Sequence, residues 1–151
     1  MITKYVSRST RIVLAEDDRT IARLIEVALQ RTGVPHELTV VHDGDEAIAA
    51  LEQSHSAWKD GTDLLLLDLH MPRKNGFEVL QHLKASEHLR RIPVVMFSSS
   101  ERPEDVNKAY DLHVNAYVFK EPHFADLARS VDTILQFWLR TAMSPVESRR
   151  Q

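Results

Sequence analysis

Four consecutive leucines between two aspartates, Asp63 to Asp68, constrain the fold of this chain more than any other segment. A strand with one face in water alternates apolar and polar residues, and this run shows no alternation. Both faces of the strand should therefore be covered, as in the centre of a parallel sheet flanked by helices. Asp68 would then stand at the carboxyl end of a central strand.

Short apolar runs alternate with helical patterns along the rest of the chain. The predicted strands are 11–15, 37–41, the leucine run, 93–97 and 116–119, and the last helix is predicted from Phe124 to Thr141. Helix starts are marked by capping residues or by proline; these are Asp18, Asp43 with Glu46, Asn75, and Ser100 with Pro103. Strands joined by helices run parallel with right-handed crossovers, so an open, doubly wound α/β sheet is predicted.

Length and composition favour a single folded domain. The chain has 151 residues, 43% hydrophobic and 27% charged, as in ordinary globular proteins. It has no cysteine, which excludes disulfides and zinc-thiolate sites. No segment has the pattern of a signal peptide or the roughly 20 apolar residues of a membrane span, so a soluble, cytoplasmic protein is expected. A net charge of −3 without a basic tract argues against direct nucleic-acid binding.

Chemically reactive side chains follow the predicted carboxyl ends of the strands, where doubly wound sheets bind ligands. They are Glu16, Asp17 and Asp18 after the first strand, Asp68 and His70 after the third, Ser98 to Ser100 after the fourth, and Lys120 after the fifth. Clustered carboxylates repel one another, and a hard cation such as Mg²⁺ relieves that repulsion. Lysine and hydroxyl groups suit phosphate oxygens, and a carboxylate beside a metal can form an aspartyl phosphate.

The ordered set AEDD, LLLLDLHMP, SSS and YVFK resembles the receiver domain of two-component response regulators. The resemblance spans about residues 11–139 and implies a flavodoxin-like (βα)5 fold with strand order 2-1-3-4-5. The segments RRIPVVMFSSS, DLHVNAYVFK and ILQFWLRTAMSP more closely resemble the small response regulators of phytochrome-type photoreceptor histidine kinases. We therefore expect a stand-alone receiver domain at 11–141, an N-terminal extension at 1–10 and a C-terminal tail at 142–151.

The resemblance also implies the roles of individual residues. Asp68 would accept a phosphoryl group from the phosphohistidine of a sensor kinase such as a bacteriophytochrome, and would lose it slowly by self-catalysed hydrolysis. Such a chain is a signalling protein rather than an enzyme with a small-molecule product. The implied Mg²⁺ ligands are Glu16, mainly through water, Asp17, Asp68 and the backbone carbonyl of His70.

Three further residues would bind the phosphoryl group or move in response to it. Lys120 would pair with the acyl phosphate, Ser98 would move toward it, and the ring of Tyr117 would turn inward in response. Each has a plainer interpretation: a surface charge, a turn hydroxyl and a side chain packed on the sheet edge. Other histidines, including His42 and His55, show no spacing typical of metal ligands.

Two other functions remain open at this stage. One is a metal-dependent phosphohydrolase in which Asp68 is a transient nucleophile; such enzymes usually carry an Asp-x-Asp pattern on the first strand, which this chain lacks. The other is a binding module that acts independently of phosphate.

The chain departs from the family pattern after the fifth strand. Receiver domains usually have Lys-Pro there, often with a cis bond, whereas Glu121 stands between Lys120 and Pro122. A cis bond before a residue other than proline costs about 3 kcal/mol. We therefore expect a trans Lys120–Glu121 bond and a locally altered loop.

The last helix carries more apolar surface than one core can cover. Phe137, Trp138 and Leu139 are consecutive and span about 200° of a helix. At least one of them should be exposed in a monomer. We favour a homodimer interface formed by these three residues; the alternative is a helix end covered by the tail.

Overall fold

The computed structural model describes residues 9–57 and 61–145. Most of the predicted N-terminal extension and most of the predicted tail lie outside the described residues. Strands and helices alternate strictly, as predicted. Their bounds are β1 Thr10–Ala15, α1 Arg19–Arg31, β2 His36–Val41, α2 Gly44–Ala57, β3 Leu64–Leu67, α3 Gly76–Ala85, β4 Val94–Ser98, α4 Pro103–Asp111, β5 Ala116–Phe119 and α5 Phe124–Leu135.

The strands form one parallel sheet in the order β2-β1-β3-β4-β5, which confirms the predicted flavodoxin-like topology. The leucine run occupies β3, between β1 and β4. Leu64 and Leu66 face one hydrophobic layer, and Leu65 and Leu67 face the other. Because successive side chains of a strand point to opposite faces, all four leucines are buried and the absence of alternation is explained.

Helices cover the two faces of the sheet unequally. Apolar residues of α1 and α5 pack on the face that carries Leu64 and Leu66. Residues of α2, α3 and α4 pack on the face that carries Leu65 and Leu67. Within the described part of the chain, no helix has the length and apolar character needed to cross a bilayer.

The predicted caps of α1, α2 and α3 are present. At α4, Pro103 begins the helix as predicted, but the N-cap is Arg102 rather than Ser100 and makes no side-chain capping bond. The Asp18 carboxylate accepts from the backbone N–H of Thr20 at 2.9 Å and of Ile21 at 3.0 Å. Asn75 forms a reciprocal capping box with Glu78. At α2 the Asp43 carboxylate accepts from the Glu46 N–H at 2.8 Å. The return bond from the Glu46 side chain goes to the N–H of His42, one residue before the predicted partner.

The last helix has the predicted extent, but its end is not α-helical. After Leu135 the chain continues as a π-helical segment, Gln136–Thr141. Phe137 is 49% exposed, Trp138 is half-buried and Leu139 is 4% exposed. The prediction that one of these side chains remains exposed is therefore confirmed. Leu139 belongs to the monomer core, so it must be removed from the predicted dimer interface.

Candidate functional site

Backbone hydrogen bonds of the sheet continue one residue beyond the strands and fix the site. The Asp68 N–H donates to the carbonyl of Ala15 at 2.9 Å, and the Glu16 N–H donates to the carbonyl of Val41 at 3.0 Å. On the other side, the Lys120 N–H donates to the carbonyl of Ser98 at 2.7 Å. Because the strands are parallel, residues at these ladder ends share the carboxyl edge of the sheet.

Three carboxylates converge at this edge. Glu16, Asp17 and Asp68 each offer an oxygen, and these oxygens all lie within 4.8 Å of one another. Glu16 and Asp68 are buried, at 2% and 7% exposure, whereas Asp17 is open to solvent. Oxygen ligands of this kind suit hard divalent cations such as Mg²⁺ or Mn²⁺, so the residues present fit a metal site.

The Lys120 ammonium lies against two of these carboxylates. It donates to Glu16 Oε1 and is 3.3 Å from Asp68 Oδ1, and its side chain is 8% exposed. Buried charges persist only when paired. The lysine therefore supplies positive charge directly beside the candidate phosphoacceptor, and the reading of Lys120 as an isolated surface charge does not hold.

Glu16 is the carboxyl group of this cluster whose ionisation is opposed by its surroundings. Burial raises its pKa from 4.5 to about 7, and the nearby Asp68 charge adds to the effect, while the hydrogen bond and charge of Lys120 oppose it. Desolvation disfavours the charged form of a carboxyl group. A bound divalent cation would restore the carboxylate by the opposite effect.

A hydrogen-bond chain leads away from the site through Ser98. The buried Ser98 hydroxyl accepts from the Ser100 N–H at 3.1 Å. The Ser100 carbonyl in turn accepts from the Tyr117 hydroxyl at 2.8 Å, and the Tyr117 N–H donates to the Tyr110 hydroxyl at 3.1 Å. The half-buried Tyr117 is therefore held by its hydroxyl as well as packed on the sheet. Ser98 and Tyr117 are linked through the backbone of Ser100.

Two residues beside the site were missed from sequence alone. His42 follows β2, and its Nδ1 lies 2.9 Å from the Glu16 carbonyl oxygen; its position after a strand was the available signal. Gly76 begins α3 where a Cβ atom would lie 2.5 Å from the Asp68 carbonyl oxygen. Nothing in the sequence indicates that close approach. The side chain of His70 is exposed, and the prediction for this residue concerns its carbonyl alone.

The peptide bond after Lys120 follows the expectation for the altered motif. No peptide bond between described residues is cis, so Lys120–Glu121 is trans as predicted. Lys120 nevertheless reaches the acidic cluster. The change from Lys-Pro therefore leaves the lysine in place.

Comparison with known proteins identifies relatives that match most of the chain. The family model for the response regulator receiver domain matches residues 12–132. Response regulator Rcp1 of Synechocystis sp. is 39% identical over 135 residues, covering 89% of this chain and 92% of Rcp1. The phosphorylated cyanobacterial phytochrome response regulator RcpA has a TM-score of 0.85 and 44% identity, covering 92% of this chain and all of that one. The Mn²⁺-bound form of Rcp1 has a TM-score of 0.80 and 38% identity, covering 91% and 99%.

Proposed function

This chain belongs to the response regulator receiver domain family, and from that membership we propose that Asp68 accepts a phosphoryl group from a phytochrome-type sensor histidine kinase. The structural observation that carries the proposal is the setting of Asp68. Its carboxylate is buried at the end of the central strand, grouped with Glu16 and Asp17, and 3.3 Å from the Lys120 ammonium. RcpA, a phytochrome response regulator with the same fold, supports the choice of kinase class.

In the proposed transfer, an Asp68 oxygen forms a bond to phosphorus as the bond from phosphorus to the donor imidazole nitrogen breaks. The electron pair of the broken bond stays on the imidazole, which takes up a proton from solvent. Lys120 neutralises charge on the phosphoryl oxygens. Ser98, whose oxygen already accepts from Ser100, still has its hydroxyl proton to donate to the phosphoryl group.

We assign Glu16, Asp17, Asp68 and the His70 carbonyl as the residues that hold Mg²⁺. The bound ion would supply positive charge to the phosphoryl oxygens during transfer. The same cation charge would stabilise Glu16 as a carboxylate against the effect of burial. With Glu16 so engaged, the Lys120 ammonium would be available to the phosphoryl group on Asp68.

The proposed output is a change in contacts around β5 and the end of the chain. If Ser98 moves toward the phosphoryl group, its bond to the Ser100 N–H is altered, and Ser100 also holds the Tyr117 hydroxyl. A phosphoryl group carrying about two negative charges can shift the domain only through such differential contacts. We propose that the shift tunes a homodimer formed through exposed Phe137 and half-buried Trp138, in a cytoplasmic protein that hydrolyses its own acyl phosphate slowly.

Intact mass measurement tests the phosphotransfer. The protein is incubated with Mg²⁺ and a small phosphodonor, or with a phosphorylated kinase. The wild type should gain one phosphoryl group, and Asp68→Asn should gain none. Asp111→Asn, at an exposed aspartate at the end of α4, is the matched control and should behave as the wild type. Absence of a Mg²⁺-dependent adduct with both donors would refute the proposal, and rapid turnover of a phosphomonoester would favour a phosphohydrolase.

Solution mass tests the dimer. Phe137→Ser should weaken self-association because it removes the exposed aromatic ring. Leu24→Ser, which changes another exposed apolar residue, is the control and should leave the dimer intact. A Phe137→Ser protein that dimerises as tightly as the wild type, with and without phosphodonor, would rule out this interface.

A further inference from the structure

Three histidines and a glutamate meet on the surface between α2 and α3, on residues that the phosphotransfer chemistry does not use. Glu52 and His55 lie three residues apart on α2, which places them on one face of that helix. His82 lies near the end of α3, and His88 lies in the turn that follows it. The packing of α2 on α3 through the core brings together residues from separate segments of the chain.

The Glu52 carboxylate is the centre of this cluster. Its Oε2 lies 2.7 Å from His88 Nε2, and its Oε1 lies 3.6 Å from His82 Nε2. The His55 ring packs against the His88 ring with centroids 4.7 Å apart. The hydrogen bond to His88 holds the pKa of Glu52 below its ordinary value, so the carboxylate remains charged at neutral pH.

His88 is oriented by its second ring nitrogen. Its Nδ1 lies 3.0 Å from the Ser86 hydroxyl, which directs Nε2 toward Glu52. Histidines that bind metals commonly make such a bond through the nitrogen that is not coordinated. A serine hydroxyl can either donate or accept, so Ser86 can also support the tautomer that leaves a lone pair on Nε2.

We propose that Glu52, His55, His82 and His88 bind a transition-metal ion of the Zn²⁺ class. Imidazole nitrogens with one carboxylate suit Zn²⁺, whereas the all-oxygen cluster at Asp68 suits Mg²⁺. Around a tetrahedral ion with Zn–N bonds of about 2.0–2.1 Å, neighbouring ligand atoms lie about 3.3 Å apart. The distance of 3.6 Å from His82 to Glu52 is close to that spacing, but no three residues of this cluster have ligand atoms within 4.8 Å of one another as those of the Asp68 cluster do. Binding therefore requires rotation of the Glu52, His82 and His88 side chains, which are 41–43% exposed.

The bound ion would join α2 to α3 on a surface separate from the carboxyl edge of the sheet. On binding, the contacts of His82 and His88 to the Glu52 carboxylate would be replaced by bonds from all of these side chains to one metal ion. Any ligand that binds only the folded state stabilises that state. The expected consequence is a Zn²⁺-dependent rise in the unfolding temperature that does not require phosphorylation.

The test is a calorimetric titration of the chelator-treated full chain with Zn²⁺ in excess Mg²⁺, which competes with Zn²⁺ for the Asp68 cluster. One equivalent should bind, and the unfolding temperature should rise. His88→Gln and Glu52→Gln should each weaken binding by about tenfold or more. His123→Gln, at an exposed histidine whose side chain makes no capping bond to α5, should bind as the wild type does.

Titration with Co²⁺ adds a spectroscopic reading, because tetrahedral coordination by histidine gives intense visible absorption that should disappear in His88→Gln. Unfolding without Zn²⁺ verifies that each variant folds. The proposal is overturned if Zn²⁺ does not bind at a several-fold molar excess. It is also overturned if Mg²⁺ displaces the ion, or if both cluster variants bind Zn²⁺ as tightly as the wild type.

Discussion

Replacing Gly76 by alanine is expected to damage the phosphotransfer site without removing any of its side chains. The added Cβ atom would lie 2.5 Å from the Asp68 carbonyl oxygen and 2.9 Å from the Leu69 Cα. Ordinary contact begins at 3.4 Å. Either the backbone at Gly76 or the backbone at Asp68 and Leu69 must therefore move by about 0.9 Å, the difference between 3.4 and 2.5 Å. The two segments are tied together, because the Gly76 N–H donates to the Leu69 carbonyl at 2.8 Å.

Two magnitudes follow from that displacement. Overpacking of this kind costs about 1–3 kcal/mol of folding stability. A shift of about 1 Å at a reacting group can slow the reaction by about a hundredfold. We therefore expect Gly76→Ala to phosphorylate Asp68 ten- to a hundredfold more slowly, by the order-of-magnitude scale of such displacements, while remaining folded. Intact mass over time with Mg²⁺ and a small phosphodonor gives the rate, and urea unfolding gives the stability.

Gly33→Ala is the matched control for this substitution. Gly33 has φ +73° and no atom within 4 Å of an added Cβ, so alanine there introduces left-handed backbone strain of about 1–2 kcal/mol. The two variants should lose similar stability, and Gly33→Ala should phosphorylate at the wild-type rate. Equal phosphorylation rates in Gly76→Ala and Gly33→Ala would refute the link between the glycine and the position of Asp68.

Three other substitutions test parts of the site and its supports. The pKa of Glu16 is raised from 4.5 to about 7 in the folded state. Between pH 4.5 and 7 the folded protein therefore binds more protons than the unfolded chain. The Glu16 contribution to folding stability is present below pH 4.5 and is lost as pH rises to 7. Glu16→Gln should remove this loss in urea unfolding with chelator at pH 4.5 and 8, and an unchanged slope would contradict the assignment. Tyr117→Phe should lower stability by about 1 kcal/mol, because it removes the donor to the Ser100 carbonyl. Its effect should be non-additive with Ser98→Ala, and additive unfolding energies would show that the two residues are not coupled. Asn75→Ala should lower stability by about 1 kcal/mol through loss of the capping box, measured by thermal unfolding. Asn75→Asp should retain most of it, and an equal loss in both variants would exclude the cap as the cause.

The residues that end the strands were predictable because their positions follow from local patterns. The leucine run required a strand covered on both faces, and the alternation of strands and helices required parallel pairing. The carboxyl ends of such strands share one edge, so the sequence alone predicts that Asp68, Glu16 and Lys120 lie together. Helix caps at Asp18, Asp43 and Asn75 were likewise local signals.

Contacts between segments that are distant in sequence required the tertiary structure. The close approach of Gly76 to Asp68 depends on how α3 packs against the end of β3. The burial of Leu139 depends on the π-helical segment that follows α5. Neither the bond from His42 to the Glu16 carbonyl nor the meeting of His82 and His88 at Glu52 has a spacing that reveals it.

The sequence by itself determined the order of the elements, the buried central strand and the acidic edge with its lysine, because hydrophobic periodicity and strand ends are properties of short segments. Only the tertiary structure decided which apolar residues at the chain end are exposed and which histidines face one carboxylate. It also decided how the Ser98 hydroxyl connects to Tyr117. These features depend on packing between helices and on backbone positions within about 1 Å, a precision that residue patterns do not carry.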